Sequence, residues 1–246
     1  MNTARSEKFR ILVVGDTVAN IQADGTKIVR LQQSPIRIKE RQQFGGAANI
    51  VRIAAGMGIM VGFLLLRQAD AAMRLHQKSH FHMLLPQFDV IVFSEYGHYT
   101  LDDLNDMVAS ARHLGKRVLL DLDVSRFGTP TGASLIASDT LTLQQIIGAW
   151  RSERELTIKM TKLLFDFKCE AYLLNHYESG ISLYLPGGVI RFTNMIPCDK
   201  YYLQAAIAAN LKNGNSLSAA VSEACDRYDP KFVDNGNISC QDLARS

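Results

Sequence analysis

Short, unbroken apolar runs, spaced along the chain and separated by helix-period segments, constrain its fold more than any other feature. Ile11-Leu12-Val13-Val14 ends in Gly15-Asp16, Val90-Ile91-Val92-Phe93 follows later, and similar runs stand at 60–66, 117–122, 134–137 and 171–174. A strand that is apolar on both faces is covered on both, which is how strands of a parallel sheet between two helical layers read. Helical patterns at 46–55, 101–114, 141–147, 153–167, 201–211 and 216–228 supply those layers. The alternation predicts an α/β fold, a three-layer α/β/α sandwich with a mostly parallel sheet. A hairpin at 181–185 and 189–192, turned at Pro186-Gly187-Gly188, adds antiparallel strands. Two period-two stretches, 27–31 and 36–39, have one apolar and one solvated face and read as a small β flap at about 24–42.

Nothing in the sequence marks a linker or an internal repeat, so residues 1–246 are expected to form a single domain. The net charge of +3 comes without a block of like charges, which argues against a nucleic-acid or membrane-surface partner. The four cysteines are scattered and read as free thiols in a reducing compartment. The first residues lack an apolar core, and the longest apolar run, 53–66, is shorter than the ~20 residues a membrane span needs. A cytoplasmic protein is the expectation. His76, His80 and His82 lie close in sequence, but their spacing of four then two does not put all three on one helix face, and no metal site is expected there.

Four elements recur in a specific order. They are Val13-Val14-Gly15-Asp16 at a strand end, Gly45-Gly46-Ala47-Ala48-Asn49 opening a helix, Ser94-Glu95-Tyr96 after a later strand, and Gly214-Asn215-Ser216-Leu217 between the last helices. This combination resembles the ribokinase (PfkB) family of carbohydrate kinases, and within it the kinase domain of the bacterial heptose 7-phosphate kinases. The resemblance runs from about residue 11 to 243, with one large gap between 66 and 90. It implies a ribokinase-like fold with a β lid, here truncated to the flap. It also implies that Asp16, Gly45, Gly46 and Asn49 bind a sugar or sugar phosphate, Asp and Asn through its hydroxyls and the glycines by letting it approach the backbone. On the nucleotide side, Asn175 stands where the family has a Thr, while Glu178 and Gly180 of that loop persist. These three are the candidate nucleotide residues, and ATP and Mg are the implied cofactors if the site still functions. The lid of related kinases pairs subunits, so a homodimer or a protein partner is expected to cover the flap.

Phosphoryl transfer needs a base for the attacking hydroxyl and donors around the moving phosphoryl group. The resembled family supplies both with Gly-Ala-Gly-Asp at a helix start, and that motif is absent here. Without a gap it falls on Cys198-Asp199-Lys200-Tyr201, placing a tyrosine where the base belongs. A two-residue slip makes Asp199 the base, preceded by Ile196-Pro197-Cys198, in which Pro197 has no N–H and the side chains crowd the phosphate position. The family's Asn-x-x-Glu falls on Asp139-Thr140-Leu141-Thr142, without the Glu, and its Asp-Pro-Lys falls on Asp121-Leu122-Asp123. The sequence therefore predicts a sugar-kinase homologue with a degenerate phosphoryl-transfer site, a pseudokinase. An active kinase using Asp199 is the alternative.

Overall fold

The structure, a computed structural model, describes residues 9–15, 46–66, 70–94, 100–122, 131–193 and 199–228. The expected flap at 24–42 lies outside these residues, as do Asp16, Gly45, Asp123, Pro197 and Cys198. The described strands form one sheet in the order β2-β1-β3-β4-β5-β6-β7-β8. These are β1 (Arg10–Gly15), β2 (Met60–Leu65), β3 (Val90–Ser94), β4 (Arg117–Asp121), β5 (Leu135–Asp139), β6 (Ala171–Asn175), β7 (Ile181–Leu185) and β8 (Gly188–Phe192). The pairs from β2 through β6 are parallel, while β7 and β8 pair antiparallel.

Helices α1 (Gly46–Gly56), α6 (Lys200–Asn210) and α7 (Leu217–Asp226) cover one face. The other face carries α2 (Ala71–Leu84), α3 (Leu101–His113), α4 (Thr140–Ile147) and α5 (Glu153–Asp166). Each strand feeds both layers: Leu12 and Val14 pack toward α2 and α3, Ile11 and Val13 toward α1 and α6. The three-layer α/β/α sandwich with a mostly parallel sheet is the architecture the sequence led us to expect.

One described helix, α2, has no counterpart in the sequence reading. It buries only Gln77, Phe81 and Leu84, so its apolar stripe is too thin to show as a clear period. Asp70 starts it, accepting from the Met73 N–H at 2.8 Å. Its charges turn toward α3, where Lys78 Nζ lies 2.6 Å from an Asp106 carboxylate oxygen. His76 and His80 share one side of α2, with ring centroids 6.4 Å apart, while His82 points to Asp106.

At the carboxyl end of β1 the packing is tight enough to dictate residue type. A Cβ on Gly15 would stand 1.8 Å from the carbonyl oxygen of Ser94 and 2.8 Å from the Cβ of Ala47. The glycine thus lets β3 and the start of α1 close on the strand end. All of the parallel strands finish on this edge, where open α/β sheets hold ligands.

Candidate functional site

Polar side chains gather at that carboxyl edge. Asp121, last residue of β4, has a side chain only 6% exposed, yet it keeps a charge partner: Lys200 Nζ lies 3.2 Å from its Oδ2. Ser94, last residue of β3, donates its hydroxyl to the same oxygen at 3.3 Å. A carboxylate this buried is stable only when paired and hydrogen-bonded, and Lys200 and Ser94 contribute to both. Lys200 Nζ also lies 4.8 Å from the ring centroid of Tyr201.

Lys200 is the first residue of α6, and Asp199 is its cap. Oδ1 of Asp199 accepts from the N–H groups of Tyr201 at 2.9 Å and Tyr202 at 2.8 Å. The N–H of Asp199 donates to the Tyr228 hydroxyl at 3.4 Å, and the Tyr202 and Tyr228 rings meet edge to face at 5.0 Å. A helix start offers donors and a positive dipole end to an anion. In this chain the anion on those two donors is a carboxylate of its own.

On the strand next to β4, Asp139 ends β5 and caps α4, accepting from the Thr142 N–H at 2.7 Å. Its other oxygen accepts from the Tyr177 hydroxyl at 2.8 Å. Burial pushes the Asp139 carboxyl up, but the Thr142 and Tyr177 hydrogen bonds, with nearby Lys200, outweigh it and hold the group below the usual carboxylate range. The same hydrogen bond, to Asp139, raises the Tyr177 phenol. Tyr177 has φ 55°, a left-handed backbone that an aromatic residue rarely adopts. Its N–H donates to Oδ1 of Asn175 at 2.8 Å, which ties the turn to the end of β6.

No family model matches the chain. The bifunctional protein HldE of Aeromonas hydrophila is 27% identical over 237 residues, covering 74% of this chain and 50% of that protein. The D-beta-D-heptose 7-phosphate kinase of Bordetella bronchiseptica is 29% identical over 238 residues, covering 75% of this chain and 76% of that one. The chain is a homologue of the heptose 7-phosphate kinases. It spans about half the length of the bifunctional relatives from the two Aeromonas species. Its fold is that of the ribokinase group. The tetrameric inhibited form of phosphofructokinase-2 from Escherichia coli superposes with a TM-score of 0.65 at 10% identity, covering 96% of this chain and 97% of that one. Arabidopsis thaliana ribokinase, complexed with ribose and ATP, superposes with a TM-score of 0.61 at 12% identity, covering 89% and 90%.

In this heptose-kinase homologue, Gly46 is the first residue of α1 and Asn49 lies half-buried in its first turn. Asp199 caps α6, which packs alongside α1, so these positions open on one edge. Their expected companions Asp16 and Gly45 lie outside the described residues. Asn175 is buried at the end of β6, and Glu178 belongs to the 3-10 turn Tyr177–Ser179. Gly180 follows with φ +94°, and a Cβ there would stand 2.1 Å from the carbonyl oxygen of Phe192. That contact gives Gly180 a packing role between β7 and β8, whatever else it touches. The helix begins with Asp199 as cap, so this carboxylate stands at the edge while Tyr201 lies inside the first turn. Lys200 and Tyr177 escaped the sequence reading. Lys200 directly after a capping aspartate is a signal that was available; the Tyr177 contact, 38 residues from Asp139, left none.

Proposed function

We propose that this heptose-kinase homologue is a pseudokinase, a protein that binds a ligand or partner on the ribokinase-like fold without transferring phosphate. The observation that carries this reading is the state of the α6 start. The Asp199 carboxylate accepts from the Tyr201 and Tyr202 N–H groups, donors of the kind a phosphoryl anion needs. Lys200, the cation on the same turn, is drawn to buried Asp121. One lost oxyanion donor removes about 3 kcal/mol of transition-state stabilisation, and an ineffective base removes a further ~3–5 kcal/mol. Together these losses slow transfer by several orders of magnitude.

Incubation with ATP, Mg and heptose 7-phosphate is therefore expected to yield no bisphosphate above the uncatalysed background, followed by phosphorus NMR. Turnover that disappears in Asp199→Asn would overturn the proposal. It would establish the second reading, an active ATP-dependent sugar or sugar-phosphate kinase, which the position of Asp199 at the sheet's carboxyl edge favours. ATP and Mg belong to that reading alone. The flap at 24–42 is proposed as the surface for a second copy or a protein partner in the cytoplasm. Ile36→Asp with Ile38→Asp is expected to convert the assembly to monomers in light scattering. An unchanged mass would remove the flap from consideration.

A further inference from the structure

Four of the six histidines, His76, His80, His82 and His113, stand on α2 and α3, and the two flanks of α2 divide its three. Arg74, Lys78 and His82 follow one another at intervals of four and turn to α3. Arg74 and Lys78 meet Asp103, Lys78 also meets Asp106, and His82 Nε2 lies 3.9 Å from Asp106. His76 and His80 are offset from that row by two residues, about 200° round the helix, so they stand on the opposite flank. There the two rings are neighbours, with centroids 6.4 Å apart and planes at 55°. His76 is exposed and His80 partly buried. Nδ1 of His80 is buried without a hydrogen-bond partner among the described residues, so Nε2 is the ring atom it can offer to a ligand.

Two imidazoles four apart on a helix are held by one backbone, so an ion bound to the first finds the second already in place. Imidazole suits Zn²⁺, Cu²⁺ and Ni²⁺, whereas Mg²⁺ and Ca²⁺ take oxygen ligands. An ion about 2.0–2.1 Å from one nitrogen of each ring, in a tetrahedral arrangement, sets the centroids about 5 Å apart. Exposed His76 therefore has to swing by only about 1 Å to close the chelate. The helix cations Arg74 and Lys78 point the other way and are paired with carboxylates, so they oppose an ion on this flank little. Among the described residues no set of three or more His, Cys, Asp or Glu is placed to hold a metal, so the pair supplies two ligands and water the rest. We propose that His76 and His80 form a bidentate site for a transition-metal ion of the Zn²⁺, Cu²⁺ or Ni²⁺ class on the outer flank of α2. The sequence spacing spoke against a site made of all three α2 histidines, and the pair is what remains once His82 turns to α3. The site shares no residue with the carboxyl edge, and it holds whether or not that edge transfers phosphate.

The test is calorimetry on the full, tag-free chain with Ni²⁺ and Zn²⁺, with Mg²⁺ as competitor, and electron paramagnetic resonance with Cu²⁺. Wild-type protein is expected to bind Ni²⁺ and Zn²⁺ without competition from Mg²⁺, and to show two nitrogen ligands on Cu²⁺. His76→Gln and His80→Gln are each expected to weaken Ni²⁺ binding about tenfold or more, and the double variant little further, because the chelate fails when either ring goes. His82→Gln and His113→Gln are expected to leave the affinity unchanged. Saturating Ni²⁺ is expected to raise the melting temperature of wild type and not that of His76→Gln. Losses in the two single variants that add up in the double would mean two separate one-ligand sites and overturn the chelate. An affinity untouched by either substitution, or lost equally in His82→Gln, would mean an adventitious ion only and overturn it too. So would a wild type that binds neither Ni²⁺ nor Zn²⁺.

Discussion

Lys200 and Asp121 illustrate how single residues set the character of this edge. Lys200 is about half exposed and Asp121 is buried, so their pairing is asymmetric. Removing the lysine strands a carboxylate in a poorly solvated place, whereas removing both leaves little to compensate. Lys200→Met is expected to lower stability by on the order of 1–3 kcal/mol, the half-exposed ammonium keeping the loss below that of a fully buried pair. Lys200→Met with Asp121→Leu is expected to regain most of it, as a double-mutant cycle in urea would measure. Single losses in Lys200→Met and Asp121→Leu that add up to the loss in the double variant would show the pair contributes nothing. His176 gives a second residue-scale expectation. Burial pushes its imidazole below the ordinary range, the Glu153 carboxylate pulls it back and Arg191 adds to the lowering; its Nε2 lies 2.9 Å from the Ser182 hydroxyl. An unfolded histidine takes its proton near pH ~6.5, before the folded one does. Stability from this residue is therefore complete at neutral pH and falls as acid is added through that value. The melting temperature should decline as the pH falls below about 6.5, and less steeply in His176→Gln.

At the scale of elements, the two helical layers differ in how much rests on few side chains. α2 buries Gln77, Phe81 and Leu84, and Phe81 is the large one, its ring tilted against Phe93 with centroids 5.9 Å apart. Phe81→Ala is expected to cost about 3–5 kcal/mol by chevron or urea midpoint, with hydrogen exchange rising first along α2. That thin stripe is also why α2 was invisible in the sequence, while strands such as Ile11-Leu12-Val13-Val14, saturated with apolar residues on both faces, were legible at once. Boundaries set by caps held to within a residue or two, since Asp199, Ser216 and Thr100 carry their own signals. The site was legible only in part. Asp199 and Asn175 were flagged by position, and the structure places each on the carboxyl edge. The Lys200 contact with Asp121 spans 79 residues and depends on which strands lie beside α6, information that no local pattern carries.

At the scale of the whole molecule, the sheet makes the two helical layers depend on each other. Successive residues of β1, β3, β4 and β6 alternate between the core under α2–α5 and the core under α1, α6 and α7. Neither layer can lose its packing without exposing one face of strands whose other face the second layer still covers. Hydrophobic clusters that share every central strand are expected to melt together, even though a chain of 246 residues exceeds the size at which two-state unfolding is usual. The single tryptophan, Trp150, packs against the first of these cores and so reports on it alone. The Tyr202 and Tyr228 rings mark the second, in edge-to-face contact across α6 and the end of α7. Tyr172 and Tyr184 belong to the first core, so the tyrosine probe of the second is the part of the near-ultraviolet signal that Tyr202→Phe with Tyr228→Phe removes. That signal, tryptophan fluorescence and far-ultraviolet circular dichroism should trace one coincident transition in urea. Separation of the tryptophan transition from the tyrosine one would mean that the layers unfold as separate units, and the shared-strand account of cooperativity would fail. Coincidence, together with loss of both signals in Phe81→Ala at a lower midpoint, would show that α2 on one face stabilises α6 on the other through the strands between them.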